Sequence, residues 1–352
     1  MSLPRALVLS AGLGTRLRPL TYIRAKAAVP VNGETLARRV VRWLVTQGVN
    51  DLVLNLHHHP GSITASVGDG SDLGARVRYS WEQPVLGSAG GPRRALPLLV
   101  DPERLSAPAL PHAIAHPGTA AGRTAETFII ANGDTLTDVD LPAMLRQHAE
   151  SGAMVTMAVI PNPMPDKYGG VVVAPGDRVT GFTRAGASPL TYHFIGIQVV
   201  ERRVFSVLDD GVPTESVGAV YPRLMAEAPG SVAAFVCDAA FKDIGTPGDY
   251  LRTALELARI EGDRLTAGRN VQIAPSAHLT RTALWDDVVV GANAVLVDCI
   301  VADRARVPAG ARYEGCAIVP AGTLTPVNGE RIEHGLLIRK IELAGRTEPT
   351  HR

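Results

Sequence analysis

The chain has 352 residues, 46% hydrophobic and 20% charged, with a formal net charge of +1. That length accommodates one large α/β domain of roughly 250 residues plus a smaller module. The near-neutral charge, without basic runs or interleaved aromatics, argues against nucleic acid or an anionic membrane surface as a partner. No run of about 18 apolar residues offers a membrane span, and the apolar start Ala6-Leu7-Val8-Leu9 is too short for a signal-peptide core, so a cytoplasmic location is expected. Cys237, Cys299 and Cys316 are far apart and odd in number; they suit neither a disulfide framework nor a zinc spacing and read as small apolar fillers.

In chain order, the first half alternates short apolar runs with amphipathic stretches. The patterns predict strands at Ala6–Ser10, Asp51–Leu56, Arg76–Glu82 and Thr127–Ala131, and helices at Leu36–Gln47 and Leu141–Ser151. This order implies an α/β fold with a Rossmann-like, mostly parallel sheet flanked by helices. The Pro-, Ala- and His-rich stretch from Leu98 to Glu126 reads as a surface insertion. From Gly152 to Val236, strand-like runs at Met154–Ile160, Gly170–Val173 and Thr191–Val199 suggest an antiparallel extension and a place for a substrate pocket. Asp249 to Glu261 turns helical and closes the first domain, expected to span residues 1–262, with a second module over 263–352.

In that second module, aliphatic residues such as Ile273, Leu279, Leu284, Val295, Ile300 and Val307 recur at five- to six-residue spacing, separated by small residues. The pattern suits a short left-handed parallel β-helix, with aliphatic side chains inward and small residues at the corners. An irregular antiparallel tail is the other reading.

Chemistry concentrates at the start of the chain. The strand Leu7-Val8-Leu9 opens into Ser10-Ala11-Gly12-Leu13-Gly14-Thr15-Arg16-Leu17-Arg18-Pro19-Leu20-Thr21. Glycines let backbone N–H groups approach phosphate oxygens, and Arg16 can clamp a leaving pyrophosphate in bidentate fashion. The run lacks the third glycine of a dinucleotide-binding fingerprint. Ten residues on, Lys26 sits among Ala25, Ala27, Ala28, Val29 and Pro30, where a desolvated ammonium could stabilise charge at an α-phosphate; a snorkelling surface lysine is the alternative. The triplet His57-His58-His59 cannot converge on one ion, because adjacent residues of an extended segment point to opposite faces.

These residues resemble the nucleotide-sugar pyrophosphorylase family, whose signature is a Gly-x-Gly-Thr-Arg-Leu-x-Pro-Leu-Thr run followed by Pro-Lys-Pro. Here the run stands at Gly12 to Thr21, and Ala25-Lys26-Ala27 replaces Pro-Lys-Pro. Three further segments agree: Glu82-Gln83-Pro84-Val85-Leu86-Gly87-Ser88-Ala89-Gly90-Gly91, Asn132-Gly133-Asp134 and Phe241-Lys242-Asp243-Ile244-Gly245-Thr246-Pro247. Together they cover about 250 residues in the family's order.

The resemblance implies a sugar-1-phosphate nucleotidyltransferase, most like the mannose-1-phosphate guanylyltransferases, taking a nucleoside triphosphate and a sugar 1-phosphate and needing Mg²⁺. It assigns Arg16, Lys26, Asp134 and Asp243 to catalysis, with the two aspartates on the metal. Ala11, Gly12, Gly14, Thr15, Glu82, Gly87, Ser88, Ala89, Asn132 and Gly133 would bind the nucleotide. For the sugar phosphate it offers Gly170, Thr183, Arg184, His193 and Gly196. The family's Glu-Lys pair is replaced here by Thr183-Arg184, which keeps a cation and loses the carboxylate. Structural roles would be a turn for Asp134 and a helix cap for Asp243.

Related enzymes acting on heptose 1-phosphate with GTP, or on N-acetylmuramate 1-phosphate with UTP, carry similar loops, so a heptose-1-phosphate guanylyltransferase or a UTP- or dTTP-dependent transferase is the alternative. A non-catalytic nucleotide-sugar-binding regulator would be expected to lose the aspartates or the lysine, which this chain keeps. An acyltransferase would need a histidine between coils, and only His278 stands there. The coils would serve oligomer contacts or regulation, with a homo-oligomer as the expected assembly.

Overall fold

A computed structural model describes residues 3–100, 127–187, 190–261, 266–327 and 329–342. The chain packs as two compact units, one formed by 1–12 with 37–242 and the other by 13–36 with 243–352. The boundary expected at 262 lies among residues outside those described, and the insertion expected at 98–126 lies there for all but its first three residues.

The first unit is built on a nine-stranded sheet. Its strands are β1 (Ala6–Leu9), β2 (Asp51–Leu56), β3 (Arg76–Trp81), β4 (Thr127–Asn132), β5 (Val155–Pro161), β6 (Gly170–Ala174), β7 (Arg178–Thr183), β8 (Tyr192–Glu201) and β9 (Val232–Val236). They lie in the order β3-β2-β1-β4-β8-β5-β9-β7-β6. β3, β2, β1 and β4 are mutually parallel, as their alternation with helices predicts. Beyond β4 the sheet departs from the mostly parallel expectation: β8 pairs antiparallel with both β4 and β5, and β6, β7 and β9 add further antiparallel pairs. The anticipated extension is therefore part of the one sheet, which is mixed. For β6 and β7 the reason is local, since antiparallel neighbours need only a tight turn, here the positive-φ pair Gly176 and Asp177, whereas β8 inserts between β4 and β5 by long-range pairing.

Helices α1 (Leu36–Thr46), α2 (Pro60–Val67), α3 (Gly87–Leu99), α4 (Leu141–Ser151) and α5 (Tyr221–Glu227) are the longer helices that accompany this sheet, beside shorter helical segments at Arg203–Ser206 and Ser216–Val220. α1 buries Ala37, Val40, Val41 and Leu44, one face of a 3.6-residue period. α4 begins where Asp140 accepts the Ala143 N–H at 2.8 Å and ends at Gly152 in the left-handed region. Leu7, Val53, Phe128, Ile130, Met157, Val200 and Tyr221 fill the core between the layers.

The second unit holds α6 (Pro247–Glu261) and three stacks of short parallel strands. One stack contains Ala283–Leu284 and Ile300–Val301, another Val289–Val290 and Arg306–Val307, the third Val295–Val297 and Arg312–Glu314. Partners stand 17 residues apart, as do Arg281 and Asp298, which form a bidentate pair at 2.6 and 2.7 Å. Leu284, Val290, Leu296, Val301, Val307 and Ile318 point into a common apolar core. Asp287, Asn293, Asp298 and Arg304 take positive φ at the corners, a conformation that favours Asn and Asp. A closing hairpin, Glu330–Glu333 with Leu336–Lys340, joins the first stack antiparallel.

Candidate active site

In the first unit the carboxyl ends of the four parallel strands gather Ala11, Gly12, Glu82, Asn132, Gly133 and Asp134 from among the residues singled out from sequence. β1 runs into Ser10, Ala11 and Gly12, β2 carries Asn55, β3 leads to Glu82, and β4 leads through Asn132 and Gly133 to Asp134. In open α/β sheets this is the end where ligands bind. The Gly133 N–H donates to the Leu9 carbonyl at 2.9 Å, which carries the β4 turn back over β1 and leaves Asp134 half-buried. Gly196, on β8, has φ +82, and a Cβ there would lie 2.9 Å from the Asn132 Cβ, so only glycine lets these two strands meet at the site.

Asn55 is the residue that sequence reasoning missed. Its Oδ1 accepts the Ser10 N–H at 2.6 Å and the Ala11 N–H at 3.3 Å, and its Nδ2 donates to Glu82 Oε1 at 2.6 Å. The signal was a lone amide within the apolar run Leu52-Val53-Leu54-Asn55-Leu56. Glu82 is fully buried, and its other oxygen accepts the Leu86 N–H at 2.9 Å. Its carboxylate therefore shapes the loop from within, and Gly91 fits against it because a Cβ would stand 2.6 Å from Oε1.

The segment resembling a base-contacting loop is the start of α3, with Ala89 fully buried. A second unforeseen residue, Glu215, accepts a hydrogen bond from Ser88 Oγ at 2.5 Å, and the Ser216 N–H donates to Ser88 Oγ at 2.9 Å. Thr214 O accepts the Ala89 N–H at 2.9 Å, and the Thr214 N–H donates to Leu86 O at 2.8 Å. Leu86 to Ala89 is thereby braced against Thr214–Ser216, with Gly87 at φ +76 beside Glu215.

Among the proposed sugar-side residues, Gly170 and Thr183 face each other in the β6–β7 pair, and the Gly170 N–H donates to Thr183 Oγ1 at 3.2 Å. Arg184 is exposed just past β7. His193 lies within a ring cluster, 4.3 Å from Tyr168 and 4.7 Å from Phe241 between centroids. Burial pushes its pKa below the ordinary 6.5 against an opposing hydrogen bond to the Gly169 backbone, and its Nδ1 is buried with no protein partner among the described residues. Trp81 is half exposed and belongs to no core.

The second unit carries the signature segment itself. Gly14 has φ +61, and a Cβ there would meet Thr21 Cγ2 at 2.8 Å and Lys26 Cβ at 3.0 Å, so the glycine is required twice over. Thr21 Oγ1 donates to Gly14 O at 3.0 Å, and Leu17, Leu20, Ala25 and Ala28 are fully buried. That anchoring leaves Thr15 and Arg16 exposed and Lys26 half-buried between buried alanines. Asp243 Oδ2 and Arg16 Nη1 both flank Gly245, at 2.9 and 3.5 Å from where its Cβ would be. The cap of α6 is Thr246, whose hydroxyl donates to Asp249 Oδ2 at 2.9 Å and accepts the Asp249 N–H at 3.2 Å, so the helix start does not depend on Asp243.

The described residues contain no cluster of three or more His, Cys, Asp or Glu side chains able to hold a metal. None of their helices is long and apolar enough to cross a membrane.

An open α/β sheet with polar residues gathered at the carboxyl ends of its parallel strands is the arrangement in which such sheets bind ligands. A nucleotidyl transferase family model matches residues 5–259, and the chain belongs to that family. It is 28% identical to a mannose-1-phosphate guanylyltransferase of Mycobacterium tuberculosis over 95% of this chain and 83% of that protein. It is 26% identical to a UTP–glucose-1-phosphate uridylyltransferase of Synechocystis over 82% of this chain and 70% of that protein. The fold is shared with HddC from Yersinia pseudotuberculosis, solved with GMP-PN, at a TM-score of 0.57 and 20% identity, covering 72% of this chain and all of that one.

Proposed function

We propose that the chain is a sugar-1-phosphate nucleotidyltransferase, with GTP and mannose 1-phosphate as its substrates. The observation that carries this reading is the gathering of Ser10–Gly12, Asn55, Glu82 and Asn132–Asp134 at the carboxyl ends of four parallel strands in a member of this family. The guanylyl and mannosyl choice rests on the Mycobacterium relative and on the Leu86-Gly87-Ser88-Ala89-Gly90 run.

The reaction is in-line attack of a sugar phosphate oxygen on the α-phosphorus, releasing pyrophosphate without a covalent intermediate, so the protein positions and neutralises. The backbone around Gly12 to Thr15 holds the triphosphate, Arg16 the departing pyrophosphate and Lys26 the α-phosphate. Gly87 to Ala89 form the nucleoside side, with Glu82 and Asn55 holding that loop in shape. Gly170, Thr183, Arg184, His193 and Gly196 serve the sugar phosphate.

Asp134 and Asp243 are the carboxylates proposed for Mg²⁺. Both offer hard oxygen donors, and a magnesium held by two carboxylates, waters and phosphates needs no larger protein cluster. When bound, it would neutralise anions that must approach each other. The C-terminal stacks are proposed as coils of a short left-handed parallel β-helix.

The test is pyrophosphate release with Mg²⁺ across four nucleoside triphosphates and a panel of hexose, heptose and amino-sugar 1-phosphates. Strong turnover for GTP with mannose 1-phosphate is expected. Asp134→Ala and Lys26→Ala should each lower it by roughly 100-fold or more with the fold intact. Turnover with UTP or a heptose phosphate instead would replace the substrate pair. A blank grid with a folded protein would overturn the enzymatic reading in favour of a regulator that binds nucleotide sugars.

A further inference from the structure

The second unit contains a contact set that catalysis alone does not call for. Arg24 stands two residues before Lys26 and forks onto Asp303, with Nε to Oδ2 at 2.6 Å and Nη2 to Oδ1 at 2.7 Å. Its Nη2 also reaches Asp286 Oδ2 at 2.8 Å, and the guanidinium lies over Trp285 at 5.6 Å. Asp286 and Asp303 occupy equivalent corners of successive coils, 17 residues apart, with the Asp286 N–H donating to Asp303 Oδ1. Two acids stacked in this way, with Asp303 only 8% exposed, repel each other unless a cation joins them. Arg24 supplies the cation that touches both acids, from the segment that carries Lys26, while Arg269 Nη2 reaches Asp286 Oδ2 alone at 3.0 Å.

Two more ties flank it. The fully buried Trp285 donates from Nε1 to the Tyr250 hydroxyl at 2.8 Å, and that hydroxyl donates to the Pro30 carbonyl at 2.5 Å. Arg339, on the closing hairpin, reaches the Arg18 carbonyl at 3.4 Å. Residues 18, 24 and 30 are thus each held by groups from 243–352, and the ties straddle Lys26.

We propose that the C-terminal coils position the phosphate-handling segment Leu13–Leu36, with Asp303, Asp286 and Trp285 as positioning residues that act through Arg24 and Pro30 on Lys26. This rests on the reading of Lys26 and Arg16 as phosphate groups' partners given above. The device is particular to chains that carry the coils: the Yersinia structure is covered over its full length by 72% of this chain, so the shared fold does not include every part present here. The ion pairs restrain rather than merely attach, because a bidentate guanidinium–carboxylate pair fixes orientation as well as distance.

The experiment compares the full-length protein with Asp303→Asn, Asp286→Asn and Trp285→Phe. The control is Arg281→Ala, which removes the similar pair with Asp298 elsewhere in the coils. Hydrogen–deuterium exchange over Leu13–Leu36 is measured together with kcat, KM and thermal midpoint. Asp303→Asn should raise exchange in that segment about tenfold and lower kcat about tenfold or more, with KM for the nucleotide little changed; Arg281→Ala should do neither. Unchanged exchange in Leu13–Leu36, or an equal effect of Arg281→Ala, overturns the proposal. If Asp303→Asn fails to fold, Trp285→Phe, which removes the indole donor to Tyr250 and keeps both carboxylates, decides: raised exchange in Leu13–Leu36 with lowered kcat supports the proposal, and unchanged exchange overturns it. If the wild-type protein turns over no substrate pair, the enzymatic reading falls, while the exchange result still judges the clamp.

Discussion

Asn55 satisfies two backbone donors at the end of β1 and one oxygen of a fully buried carboxylate, all from a position 3% exposed. Replacing it leaves Glu82 desolvated without its amide partner, a larger penalty than losing a hydrogen bond. Asn55→Ala is expected to cost roughly 2–4 kcal/mol in urea denaturation, and Asn55→Asp more, since it sets a second carboxylate beside the first. His193 makes a prediction with a definite sign. Burial holds its folded pKa below 6.5, so the ring stays neutral at pH 7 to 8, and stability is lost as pH falls below 6.5 through the lowered value. The thermal midpoint of His193→Phe should therefore fall less between pH 7 and pH 5 than that of the parent, and parallel falls would exclude the titration. Residues that stand in a local pattern, such as Gly14, Arg16, Lys26 and Asp134, can be singled out in the sequence, and the roles given them are those proposed above. Asn55 and Glu215 cannot be singled out in this way, because their importance lies in partners 27 and 127 positions away.

Among elements, regular periodicity predicted well: the helices over Leu36–Thr46 and Leu141–Ser151 and the strands of the parallel half lie within a residue or two of their expected bounds. The misses have local causes. α3 hides behind Gly87, Gly90 and Gly91 at its start and Pro92 and Pro97 within it, so it read as a loop running into an insertion from Leu98, whereas the helix continues to Leu99. α2 is only eight residues long, too short for a periodic signal. The start of α6 was expected two residues later than its Thr246-Pro247 opening. Thr246→Ala should cost about 1 kcal/mol by thermal denaturation, because Asp249 keeps its place but the helix loses its cap. A loss no larger than that of an exposed substitution would show the cap to be redundant with Pro247.

For the whole molecule, the order of motifs announced the family, but the mixture of parallel and antiparallel strands did not show in it. Strand direction beyond β4 depends on β8 inserting between β4 and β5, a long-range pairing that no window of sequence displays. The packing units were also hidden, since residues 13–36 group with a segment more than 200 positions later. The second unit thus draws its residues from two segments far apart in the chain.

The stacked parallel strands repeat every 17 residues, which limits how such a chain can lengthen. A duplication of one whole repeat keeps every inward aliphatic and every corner residue in phase, while any other insertion turns apolar side chains toward water. Arg24 bridges Asp286 and Asp303, while Arg339 of the closing hairpin reaches the Arg18 carbonyl, so a repeat added between them would carry the hairpin away from residue 18. The stack is pinned at both of these points, and its length is matched to the segment it holds.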